Sequence, residues 1–195
     1  MPTSLPARRL LFAALGLGAL LRVWASADDG IYWPDEIYQS FEPAHRLVYG
    51  YGMQAWEFIE GARNWSFAFL VAVLLKLSWV FGLSMPAQYI AVVKGFFAAC
   101  GVAAVLGVYR LARTLGAEEF FAAAGAAAFS LAAPVIYFAP RAMAENALAA
   151  CAVWGLALLL DKEAPRKHAL LGAALLGLGV LFRLQGAVYC VGALA

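Results

Sequence analysis

The chain has 195 residues, 65% of them hydrophobic and only 13% charged, with a formal net charge of +2. A soluble domain carries about 25% charged and about 45–50% apolar residues. The composition therefore excludes an ordinary soluble domain, offers no basic stripe for nucleic acid, and points to an all-α polytopic membrane protein.

The first predicted element is a span near 10–24, preceded by Arg8 and Arg9. With Ala25-Ser26-Ala27 behind it, the segment has the outline of a secretory signal. Arg22 interrupts it and several further apolar runs follow, so it is expected to remain as a helix. Next comes a polar segment holding Asp28, Asp29, Asp35, Glu36, Glu42, Glu57 and Glu60, seven of the twelve acidic residues of the chain. Pro34 and Asp35 predict a helix start, with acids favourable in the first turn. Asp35, Gln39, Glu42 and Arg46 share one helical face, and Ile37, Phe41 and Val48 share another. That pattern is an amphipathic helix able to lie along a membrane surface. Glu42 and Arg46 are spaced to pair. Pro43 predicts a kink or a split, and Gly50 and Gly52 an end. An apolar run at 65–83 carries Lys76 near its middle. Further spans are predicted near 89–108, 120–138, 142–160 and 169–189, the last interrupted by Arg183 and Gln185.

Three basic clusters fix the orientation: Arg8 with Arg9, Arg110 with Arg113, and Lys162 with Arg166 and Lys167. Basic residues favour the cytoplasmic side. If every run crossed, the first two clusters would lie on opposite sides. If 65–83 does not cross, all three lie on the cytoplasmic side, and Lys76 avoids the cost of a charge at mid-bilayer. The segment 65–83 is thus expected to be interfacial or re-entrant, inside a long external loop at 26–86. The N-terminus is expected in the cytoplasm. The junction around Arg141 and the Arg183 region would then emerge on the loop side.

Pro34-Asp35-Glu36, then Gln39, Glu42, Ala44-His45-Arg46, Tyr49-Gly50-Tyr51-Gly52 and Trp56-Glu57 form an ordered series that resembles the first-loop signature of glycosyltransferase family 22. The similarity extends to Arg63-Asn64, to Tyr109-Arg110-Leu111, and to Arg141, Glu145 and Asn146. Lys94 stands where that family usually has arginine, and Arg183 is followed by Leu184-Gln185 instead of the usual Pro-Thr. The resemblance runs from Arg22 to Tyr189. It implies a GT-C fold, a helical bundle whose long first external loop forms membrane-parallel helices. It also implies an inverting mannosyltransferase using a polyprenyl- or dolichyl-phosphate mannose donor and a lipid-linked or membrane-proximal glycan acceptor. Members of that family are longer chains, so these residues are expected to be an N-terminal part. The location implied is the endoplasmic reticulum membrane, or the cytoplasmic membrane of a bacterium.

Such a transfer needs a base for the acceptor hydroxyl. From spacing alone Asp35 reads either as a helix cap or as that base, and the resemblance selects the base, with Glu36 orienting the acceptor or positioning Asp35. Trp33, Gln39, Glu42, His45, Trp56, Glu57, Arg63, Asn64, Glu145 and Asn146 are the candidate substrate-binding residues. Trp33 and Trp56 also fit an interfacial aromatic belt. Arg141, Arg183, Lys94 and Arg22 are candidates for the donor phosphate, since ionisable groups in membrane runs are functional suspects, or else cations that snorkel to head groups. The three cysteines lie in apolar runs and read as small hydrophobes. His45 and His168 lack metal-ligand spacing, and Asp28-Asp29 is only a pair of adjacent acids, so no metal or other cofactor is expected. The alternative reading is a non-catalytic membrane protein, or a degenerate fragment, that keeps the loop to bind glycolipid.

Overall fold

The computed structural model describes residues 4–28 and 30–194. Every regular element among them is helical: α1 (Leu5–Ser26), α2 (Pro34–Glu36), α3 (Glu42–Tyr49), α4 (Trp56–Ile59), α5 (Ser66–Val80), α6 (Pro86–Thr114), α7 (Glu119–Leu131), α8 (Ala133–Phe138), α9 (Ala144–Leu159), α10 (Arg166–Phe182) and α11 (Ala187–Leu194). Among the described residues, only α1 and α6 are individually long and apolar enough to cross a bilayer.

Specific contacts give each helix its direction. The Ser4 N–H donates to Glu119 Oε2 at 2.9 Å, and Ser130 Oγ donates to the Ala14 carbonyl at 2.9 Å, so α1 and α7 are parallel. Ala7 and Leu11 pack with Val105 and Tyr109, while Arg22 lies against Gly101, so α6 runs the opposite way. Trp154 Nε1 donates to the Ala103 carbonyl at 2.8 Å and Arg110 meets Asp161 at 3.4 Å, which sets α9 parallel to α6. In α10, Gly172 lies so close to α9 that a Cβ there would come within 2.7 Å of the Gly155 carbonyl, while Gly179 faces Leu148. Small residues let these two antiparallel backbones touch, as in membrane helix pairs. The result is one end that carries all three basic clusters and another that carries residues 27–28 and 30–85, the 139–143 turn and Arg183.

Helix α5 is 15 residues long and antiparallel to the first part of α6, with the Phe67 and Phe97 rings 5.8 Å apart. At about 1.5 Å per residue the 29-residue α6 is about 43 Å long, well beyond the hydrocarbon thickness of about 30 Å. Its N-terminal portion extends beside the loop, and α5 packs there, joined to α6 by a short turn at the loop end.

Three runs are broken or reshaped in the fold. The run near 120–138 breaks at the extended Ala132, so α7 and α8 are separate. Pro134 has no N–H to return to the Ser130 carbonyl, and Arg22 Nη1 donates to that carbonyl instead, at 3.0 Å, and to the Gly18 carbonyl at 2.9 Å. The run near 169–189 breaks at the extended Arg183, followed by a tight turn at Leu184–Gly186. The loop helix contains a π turn at Ile37–Phe41, in which the Glu42 N–H bonds to the Ile37 carbonyl. Widening the turn just before Pro43 absorbs the missing donor, so the expected kink becomes a bulge.

Candidate active site

Successive helical residues point about 100° apart, so Asp35 and Glu36 occupy different surroundings. Glu36 turns inward and is fully buried. Its Oε1 accepts the Ala142 N–H at 3.1 Å, and its Oε2 lies 3.7 Å from Arg141 Nη1. Arg141 is buried as well. Nη1 donates to the Gly30 carbonyl at 2.9 Å, and the guanidinium sits about equally far from the Tyr32 and Tyr137 rings, 5.1 and 5.2 Å from their centroids. Lys94 reaches from α6 to the carbonyls of Asp28 and, at 2.9 Å, Gly30. Asn146 Nδ2 braces the turn that carries Arg141 by donating to the Phe138 and Arg141 carbonyls at 2.6 and 2.8 Å. Together these groups latch the start of the loop to the bundle.

The Asp28 carboxylate accepts the Gly30 N–H at 2.9 Å and the Tyr32 hydroxyl at 3.1 Å, and these bonds hold it below the usual carboxylate range. Asp29 lies outside the described residues. For Glu36, burial pushes the carboxyl up, against the opposing pull of the Ala142 N–H, Arg141 and Lys94. A raised folded-state pKa means that the native state binds its proton more tightly than the unfolded chain does. The stabilisation this gives is complete below the ordinary value of 4.5 and is lost as pH rises through the folded value. The Tm of the wild type minus that of Glu36→Gln, which cannot titrate, is therefore expected to fall as pH rises above 4.5, measured by thermal unfolding in lipid bilayers.

Asp35 faces outward into a cavity of about 370 Å³, shared with Tyr38, Gln39, Met53, Trp56 and Glu57. Glu57 is engaged there: Oε2 accepts Arg63 Nε at 2.6 Å, and Oε1 accepts Gln39 Nε2 at 3.4 Å. Among the described residues the Asp35 carboxylate takes no hydrogen bond and no ion pair. The far wall is held in place by α3. Glu42 Oε2 accepts the Met53 N–H at 2.6 Å, and Arg46 Nη1 donates to the Gly52 carbonyl at 3.2 Å, so these two grip the returning backbone instead of each other. Gly52, at φ +149°, lies where a Cβ would stand 2.6 Å from the Glu42 carbonyl. His45 Nδ1 donates to the Tyr51 carbonyl at 3.0 Å, with its ring against those of Tyr49 and Tyr51.

Asp35, Gln39, Trp56 and Glu57 thus meet at one cavity, with Arg63 behind Glu57. Glu36, Arg141, Lys94 and Asn146 form the latch beside it. Trp33 packs on Phe138 at 5.3 Å, and Asn64 accepts the Ser66 N–H at 3.0 Å at the start of α5. Glu145 pairs with Arg183, and with Asn146 it borders a separate cavity of about 420 Å³. Arg22 lies in the bundle, bonded to helix carbonyls. Tyr38 was not anticipated, although its position three residues after Asp35 puts it on the same face. The Gly30 carbonyl and the Ala142 N–H, the backbone partners of the latch, leave no mark in a side-chain pattern.

The sequence profile of the Alg9-like mannosyltransferase family matches residues 14–192. Among curated proteins, the chain is 50% identical over 44 residues to GPI alpha-1,2-mannosyltransferase 3 of Danio rerio, a stretch that is 23% of this chain and 8% of that protein. It is 47% identical over 53 residues to Mannosyltransferase APTG1 of Arabidopsis thaliana, covering 27% of this chain and 10% of the relative. It is 35% identical over 89 residues to Alpha-1,2-mannosyltransferase alg9 of Schizosaccharomyces pombe, covering 43% and 15%. The matched stretches are thus a small part of the length of these relatives. No solved structure matches the chain.

Proposed function

The chain belongs to the Alg9-like mannosyltransferase family, and from that premise we propose that it carries the acceptor-activating part of an inverting mannosyltransferase. The donor is a polyprenyl- or dolichyl-phosphate mannose and the acceptor a lipid-linked or membrane-proximal glycan. Helices α1 and α6 cross the bilayer and the shorter α7, α9 and α10 pack beside them within it, with the basic end in the cytoplasm. Residues 27–85 lie on the opposite face, that of the lumen or periplasm.

The observation that carries this reading is the contrast between two adjacent carboxylates. Glu36 is committed to the latch, whereas Asp35 borders a cavity of about 370 Å³ without a protein partner among the described residues. A base must reach the proton it removes, and Asp35 is the carboxylate placed to do so. In the transfer, the acceptor oxygen forms a bond to the mannose C1 and the bond from C1 to the lipid phosphate breaks. The hydroxyl proton passes to Asp35 and the phosphate departs with the electron pair. A single displacement inverts C1. The leaving group is already an anionic phosphate, so no protein acid is required.

Gln39, Tyr38 and Trp56 line the acceptor's approach, and Arg63 fixes Glu57 at its edge. Lys94, bonded to the carbonyls of Asp28 and Gly30, and Arg141, shared between Gly30 and Glu36, are the cations of the latch and supply positive potential for the departing phosphate. Arg183, partly exposed beside Glu145, adds to the same field. The test is transfer of labelled mannose from polyprenyl phosphate by the intact polypeptide in a bilayer, comparing wild type with Asp35→Asn. Transfer by the variant at the wild-type rate overturns the assignment.

A further inference from the structure

At the end of the bundle away from Asp35, the last turns of α6 and α9 and the first turn of α7 border a cavity of about 920 Å³. Its polar wall sets Arg110, Arg113 and Lys162 against Glu119, Asp161 and Glu163, and its inner wall includes Leu106, Trp154 and Leu160. The size is that of a small-ligand site, and nothing in the transfer chemistry uses it. Arg110 and Asp161 face each other at 3.4 Å. Arg113 gives one N–H to the Ala117 carbonyl at 2.6 Å, and a guanidinium has further donors. Lys162 and Glu163 are exposed and take no hydrogen bond among the described residues.

Three features restrict the ligand. Basic pockets between membrane helices on the cytoplasmic side suit lipid phosphates. Three cations matched by three anions suit a ligand with both signs better than a polyanion. Carboxylates reward N–H donors through charge-assisted hydrogen bonds, which a quaternary ammonium lacks. We propose that this cavity holds the headgroup of a membrane phospholipid bearing a phosphate and a primary ammonium. The phosphate meets Arg113 and Lys162, the ammonium meets Glu163 and Asp161, and the acyl chains run past Leu106 and Leu160. The inference rests on the bilayer placement proposed above and not on the role of Asp35.

The test incorporates the intact polypeptide into bilayers containing phosphatidylethanolamine, phosphatidylcholine and phosphatidylglycerol with identical acyl chains. Lipid retained after extraction is counted by native mass spectrometry. Wild type is expected to retain phosphatidylethanolamine about tenfold over either competitor, one charge-assisted contact being worth about that factor. Lys162→Gln is expected to reduce retention, and Glu163→Gln to abolish the preference over phosphatidylglycerol. Both residues are exposed, so neither change threatens folding. Arg113→Gln, which also loses a loop contact, is expected to have the largest effect. Equal retention of the three lipids by wild type, or retention and selectivity unchanged in Lys162→Gln and Glu163→Gln, overturns the proposal. Mannose transfer followed in the same bilayers separates the two readings: a wild type that shows no lipid selectivity while transfer is intact refutes only the headgroup site, and Asp35-independent transfer with wild-type selectivity intact refutes only the base.

Discussion

Replacing Asp35 by Asn is expected to lower the rate of mannose transfer by about 100- to 10,000-fold, the range for loss of a positioned general base, with little change in Tm. Asn keeps the size of the side chain and removes its ability to take a proton. Asp35 lies at the cavity surface and holds no partner among the described residues, so its loss leaves no buried group stranded. Acceptor binding is expected to persist, because Gln39, Trp56 and Glu57 still shape the cavity. The effect should appear in kcat with KM nearly unchanged, since an interaction made only in the transition state is the one removed. A matching fall in thermal stability would instead reveal a structural cap.

Glu36→Ala is expected to show the reverse signature, a loss of about 3–5 kcal/mol of stability, the usual consequence of removing one partner from a buried ion pair. The Arg141 guanidinium would lose its anion and the Ala142 N–H its acceptor, both inside the protein. The strap at Gly30, held by Arg141 and Lys94, would loosen with them. Transfer would fall because Asp35 is no longer held at the cavity. Arg141→Leu is expected to cost a similar amount, and combining it with Glu36→Met is expected to recover much of the stability, since an apolar pair of similar volume can replace buried charges. Equilibrium unfolding of Glu36→Met, Arg141→Leu and the double variant closes the cycle. Additive losses in the double variant would show that Glu36 and Arg141 act independently.

The difference between the two carboxylates marks the limit of what the sequence expresses. The acidic segment, the helix start at Pro34 and the shared face of Asp35, Gln39, Glu42 and Arg46 are legible, because they follow from helical periodicity and from the chemistry of Pro. The direction in which that face points is not, because it depends on what Glu36 meets in a turn more than a hundred residues away. The spacing of Glu42 and Arg46 suggests a pair, yet both reach the backbone at Gly52 and Met53, which has no side-chain signature. Arg22, Lys94 and Arg141 are conspicuous as charges in apolar surroundings. Their bonds to the carbonyls of Ser130, Asp28 and Gly30 are invisible until the chain is folded. The basic clusters alone suggest that residues 65–83 stay on one side, and the parallel packing of α1 with α7 brings those clusters to one end.

The account rests on Asp35, and not Glu36, taking the acceptor proton. The most direct measurement is the pH dependence of kcat/KM for transfer from polyprenyl-phosphate mannose in wild type, Asp35→Asn and Glu36→Gln. The account predicts a limb on which activity rises with pH, as general-base catalysis requires, present in wild type and in Glu36→Gln and absent from the residual activity of Asp35→Asn. A limb that survives in Asp35→Asn and disappears in Glu36→Gln would contradict it.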